Sequence, residues 1–77
     1  TLVKKITQSL AEDYNNITFI KGNEEEMTFK ANIDWTDEEV ILTLTRYENE
    51  DNEVHYTIKQ YNVETQHDCG IIGYIYI

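Results

Sequence analysis

Proline is absent from this 77-residue chain, and glycine, cysteine, methionine and tryptophan occur only three, one, one and one times. Without proline there is no proline-rich linker, and strands can run unbroken. A lone cysteine, Cys69, excludes an internal disulfide framework, so a reducing, cytoplasmic setting is expected. Three scattered glycines cannot form a glycine-rich phosphate cradle. No apolar run approaches the roughly 18 residues that a membrane span needs. A basic start followed by an apolar segment and a small-residue cleavage site is also missing. Cationic side chains are scarce: six lysines and arginines face fifteen acids, for a net charge of −9 and a pI near 4.4. Such a balance disfavours direct contact with nucleic acid, anionic lipid or acidic substrates.

What is present suffices for a fold. Hydrophobic residues make up 40% of the chain and aromatics 12%, too much for a disordered segment. The length suits a single domain over 1–77 that buries roughly 60% of its unfolded surface, with little room for a deep substrate cavity beside the core.

Charge is unevenly placed along the chain. Residues 1–21 set Lys4, Lys5 and Lys21 against Glu12 and Asp13, and residues 54–77 set Lys59 against Glu64 and Asp68. Residues 22–53 hold eleven acids against only Lys30 and Arg46, so this middle segment alone accounts for the net charge. A protein acidic merely for solubility would more often intersperse its signs.

Periodicity predicts an α+β fold. In "TLVKKITQSLAEDYNN", Val3, Ile6, Leu10 and Tyr14 fall at helical spacing with Leu2 alongside, which predicts an amphipathic N-terminal helix ending near Asn15 and Asn16. The period then changes to two. A first strand is expected over Ile17–Lys21, and a second in "MTFKANIDW", where Met27, Phe29, Ala31, Ile33 and Trp35 share one inward face. "TDEE" at 36–39 matches a helix capping box, but the β-branched, alternating "VILTLTRY" after it favours a hairpin and a third strand with Val40, Leu42 and Leu44 inward. "VHYTIKQYNV" reads as a fourth strand with Val54, Tyr56 and Ile58 inward. A shift of parity to Tyr61 and Val63 near Gln60 suggests a bulge there. In "CGIIGYIYI", Ile71, Ile75 and Ile77 alternate with Ile72, Tyr74 and Tyr76, so both faces are apolar. An exposed edge of this kind invites aggregation, so this segment is expected inside the sheet, beside the first strand, or at a homodimer seam. The whole is one helix packed on an antiparallel sheet of four to five strands.

Chemical motifs are thin. "ENEDNE" is rich in carboxylates but lacks the sixth-position glycine and the paired helices of an EF-hand. His67, Asp68 and Cys69 are adjacent and cannot readily converge on one zinc ion. Cys69 with His55 or His67 lacks the further signature of a nucleophilic site. No catalytic residue, metal site or cofactor is therefore assigned, and an enzyme is not expected.

A meander sends alternate connections to the same end of the sheet, so the "GNEEE" and "ENEDNE" turns should emerge together. They bring Glu24, Glu25, Glu26, Glu48, Glu50, Asp51 and Glu53 to one rim, flanked by Tyr47, a residue type that anchors interfaces. These eight residues are the expected partner-binding site. The expected partner is a basic, Lys/Arg-rich surface of a nucleic-acid-handling protein, whose groove the carboxylates would block by standing in for phosphates. In general character the chain resembles phage-encoded anti-defence inhibitors, including anti-CRISPR proteins, and inhibitors of DNA-repair glycosylases, which are often small acidic domains. The alternative expectation is a small structural or accessory subunit that associates through its apolar C-terminal strand.

Overall fold

The computed structural model describes all residues 1–77. One helix, α1 (Leu2–Leu10), precedes five strands: β1 (Tyr14–Gly22), β2 (Glu26–Ile33), β3 (Glu39–Glu48), β4 (Val54–Asn62) and β5 (His67–Tyr76). The strands form one antiparallel sheet in the order β1-β2-β3-β4-β5, an uninterrupted meander with β1 and β5 at its edges. The expected α+β class and antiparallel sheet are therefore present.

The helix is shorter than its apolar spacing predicts. Thr1 caps it, its Oγ1 accepting from the Lys4 amide at 3.3 Å. Ile6 and Leu10 are fully buried, while Lys4, Lys5, Gln8 and Ser9 are exposed. Turns at Glu12 and Asp13, whose amides donate to Ser9 and Leu10, end it before Tyr14. Tyr14 is buried as expected, but as the first residue of β1, paired with Ile33. Helix and strand phases both place this tyrosine inward. A bulge between Asn15 and Thr18, with Asn16 at φ 51°, breaks the alternation that would have marked an early strand start.

The sheet turns one face toward α1. Met27, Phe29, Ala31 and Ile33 of β2, Val40, Leu42 and Leu44 of β3, Tyr56 and Ile58 of β4, and Ile75 of β5 join Ile6, Leu10 and Tyr14 in one core. The opposite face has no covering element. Trp35 does not complete the inward run of β2. It is 73% exposed, because the chain reverses after Ile33: the Asp37 amide donates to the Ile33 carbonyl at 2.7 Å, which leaves Trp35 at the tip of the turn. Thr36 accepts from the Glu38 amide at 3.3 Å, so the capping-box threonine organises a hairpin rather than a helix.

Two further expectations are corrected. β4 keeps one parity throughout, in unbroken register with β3 from Val40↔Asn62 to Glu48↔Val54. Tyr61 and Val63 are exposed, and the inward positions are Gln60 and Asn62. These polar residues sit inside because they have partners. Tyr14 Oη donates to Gln60 Oε1, and Asn62 Oδ1 accepts from the Glu64 and Thr65 amides at 3.0 and 3.1 Å. The irregularities lie instead in β5, opposite Ile58/Lys59 and Gln60/Tyr61. β5 is also not inside the sheet beside β1. It pairs with β4 alone and leaves Ile71, Ile72, Tyr74, Tyr76 and Ile77 exposed.

Candidate functional site

The meander delivers the two acidic turns to one end of the sheet. Adjacent strands lie about 4.8 Å apart, so the β1–β2 and β3–β4 turns are centred roughly 10 Å from each other. Glu24, Glu25, Glu26, Glu48, Glu50, Asp51 and Glu53 are all exposed there, with Tyr47 beside them at 51% exposure. Only Glu48 meets a cation, Arg46, whose Nη2 lies 3.3 Å from its carboxylate.

Asparagines, which a count of charge passes over, set the shape of both turns. Asn23 Oδ1 accepts from the Glu25 and Glu26 amides at 2.9 and 3.3 Å. Asn49 Oδ1 accepts from the Asp51 and Glu53 amides, both at 2.9 Å, and Asn52 takes the left-handed conformation at φ 63°. An asparagine that bonds to the backbone two residues on pre-forms a turn. The carboxylates between are thus displayed on organised loops that need no cation to close them. The signal was legible in the sequence as Asn-Glu-Glu and Asn-Glu-Asp between two strands.

The first turn is also fastened across the sheet. Tyr56 Oη donates to the Glu24 carbonyl at 2.5 Å, and the Arg46 amide donates to the Glu25 carbonyl at 2.9 Å. Tyr56 is therefore a core residue that locks the acidic turn in place, and burial, foremost, raises its pKa. The cross-strand partner of Tyr47 is His55, whose ring stacks on it at 5.7 Å between centroids.

Acid is not confined to this end. Glu12, Asp13, Asp34, Asp37, Glu38, Glu39, Glu64 and Asp68 lie at the opposite end, in turns or within two residues of a strand start. There Lys30 pairs with Glu39 at 3.5 Å. The segment-wise imbalance of the chain becomes a bipolar one in space. Lys30 and Lys59 lie within the strands between the two acidic ends, whereas Lys21 and Arg46 stand beside the first of them.

No group of three or more His, Cys, Asp or Glu side chains is placed to hold a metal ion. Cys69 is half-buried in β5, its Sγ 3.5 Å from Gln60 Nε2 and 4.0 Å from the His67 carbonyl. A groove of about 290 Å³ between α1 and β5 has the core residues Leu10, Tyr14, Ile58 and Ile75 in its lining beside exposed ones such as Glu12 and Ile72, and neither histidine nor Cys69 lines it. No helix is long and apolar enough to cross a membrane. Comparison with known proteins adds no relative: no family model matches this chain, and neither a curated protein nor a solved structure resembles it significantly.

Proposed function

We propose that this protein binds a basic surface of a nucleic-acid-handling protein and blocks it, its carboxylates taking the place of phosphates. The observation that supports this reading is the rim of seven exposed carboxylates at two asparagine-organised turns, of which only Glu48 has a cationic partner. Like charges held roughly 10 Å apart, near the physiological screening length of about 8 Å, repel one another in the free protein. A cationic partner removes that repulsion on binding. Complementary fields also steer association and make it sensitive to salt. The test is affinity capture from the native host lysate with wild type and with a variant carrying lysine at Glu48, Glu50, Asp51 and Glu53. Wild type should capture a nucleic-acid-binding protein, release it as salt rises and compete with its nucleic acid. Capture of the same partners by the charge-reversed variant contradicts the reading.

A second reading is favoured by one observation, the open outer edge of β5 with its exposed isoleucines. On this reading the protein is a small structural or accessory subunit, and β5 pairs with a partner strand or with a second copy. Ile75 is a core residue, so Ile72→Lys is the informative change. It should abolish assembly seen by sedimentation while leaving the fold intact. A wild type that sediments as a monomer and adds no strand from any partner contradicts it.

A further inference from the structure

The sheet face turned away from α1 carries a cluster of rings that the core does not use. Tyr47 of β3, His55 of β4, and Tyr74 and Tyr76 of β5 all point outward, as the pairings Tyr47↔His55, His55↔Tyr76 and Thr57↔Tyr74 require. His55 sits at the centre. Its ring centroid is 5.7 Å from those of Tyr47, Tyr74 and Tyr76, stacked on the first, edge-on to the second and tilted against the third. The tyrosines are 51, 55 and 78% exposed. Three large rings gathered at the surface around one histidine are unusual for a face with nothing over it, and contiguous exposed patches of this kind mark interaction sites.

The surroundings choose the occupant. Tyr47, His55 and Tyr76 hold the last outward register positions before the β3–β4 turn, so the ring cluster ends beside Glu50, Asp51 and Glu53, none of which has a cationic partner, while Glu48 turns to the other face with Arg46. Ring faces beside carboxylates match one side chain better than any other. A guanidinium stacks on an aromatic face and offers a planar fork that a carboxylate accepts in two places. A lysine ammonium is a compact, strongly hydrated charge that satisfies the carboxylate but gains less from the rings. A second copy of this chain would bring its own acidic turns against these, which charge opposes.

We infer that this aromatic face, with the adjoining turn, is a docking surface for arginine side chains of the basic partner, and that it selects arginine over lysine. The inference rests on the acidic-rim reading and sharpens it, since phosphate mimicry alone requires only positive charge. The geometry assigns the ring faces to specificity and the carboxylates to steering.

The test uses the intact protein and two synthetic peptides of equal length and charge, one arginine-rich and one with lysine at every arginine. Binding is measured by fluorescence anisotropy at physiological salt. The arginine peptide should bind roughly tenfold more tightly. A variant combining Tyr74→Ala and Tyr76→Ala should lose most of that preference, its arginine-peptide affinity falling several-fold further than its lysine-peptide affinity. Both side chains are more than half exposed, so the variant should fold, and a thermal melt checks this. Equal binding of the two peptides, unchanged in the variant, overturns the aromatic proposal and leaves the acidic rim standing. Binding of neither peptide overturns both. Concentration-dependent dimerisation that vanishes in the variant gives the face to a second copy and also overturns the proposal.

Discussion

The phenol of Tyr56, buried in β4, donates to the backbone carbonyl of Glu24, 2.5 Å away in the turn between β1 and β2. A core side chain thereby holds a surface turn that its own carboxylates would tend to splay. Tyr56→Phe keeps the ring and removes the hydrogen bond. A neutral bond of this kind is worth about 1 kcal/mol, and a buried acceptor left bare costs somewhat more. The variant should lose about 1 to 2 kcal/mol in urea unfolding, and amides near Asn23–Glu26 should exchange faster. Unchanged exchange in that turn would mean the bond does not restrain it.

Trp35 supplies an optical check on the fold, because it is the only tryptophan and stands 73% exposed at the β2–β3 turn. Its emission in the native protein should already resemble that of the unfolded chain and be quenched freely by acrylamide. Trp35→Ala should change stability by less than about 0.5 kcal/mol, as surface substitutions do. A blue-shifted, protected native emission would place the ring in a core.

That tryptophan also shows where sequence reading reached its limit. The alternation from Met27 to Ile33 fixed β2 and its inward face correctly, but period alone does not say when the chain leaves the sheet. Trp35 continued the alternation on paper while the backbone had already reversed through the Ile33 and Asp37 hydrogen bond. The opposite error befell Gln60 and Asn62. Their polarity suggested a slipped register, yet they remain inward because tyrosine and backbone partners satisfy them. The acidic rim was legible because meander topology dictates which turns share an end. The same rule sends the 36–39 turn and the 64–70 connection together to the opposite end, and only Glu12 and Asp13 escaped it, since the expected helix ran past them where the chain in fact turns into β1. The ring cluster required the pairing of β5 with β4, which periodicity cannot supply.

Gly22 closes β1 at φ 129°, and a Cβ there would lie 2.2 Å from the Glu26 carbonyl oxygen and 2.8 Å from Met27 Cα. Both neighbours are backbone, so neither can swing aside. Gly22→Ala should therefore cost at least about 2 kcal/mol, through strain at a conformation L side chains rarely adopt and displacement of the acidic turn. Gly70→Ala provides the contrast. It shares a positive φ, 69°, but meets open space, so its cost should be limited to roughly 1 kcal/mol of backbone preference. Equal losses in chemical denaturation would show that packing around Gly22 is looser than described.

Tyr14 ties stability to alkaline pH. Burial, followed by the nearby charges of Asp13 and Cys69, raises its hydroxyl from 10.0 to about 12. The folded state therefore holds this proton more firmly than the unfolded chain does. Its contribution is fully present below pH 10 and declines as pH rises from 10 toward 12, because there the unfolded chain has released a proton the native state keeps. Two units correspond to about 2 to 3 kcal/mol. Tyr14→Phe removes this titration together with the bond to Gln60, at a cost of about 1 kcal/mol at neutral pH. In urea titrations wild type should begin as the more stable protein and lose that lead between pH 10 and 12. Parallel curves for the two proteins across that window would show that the buried hydroxyl is not what links this fold to pH.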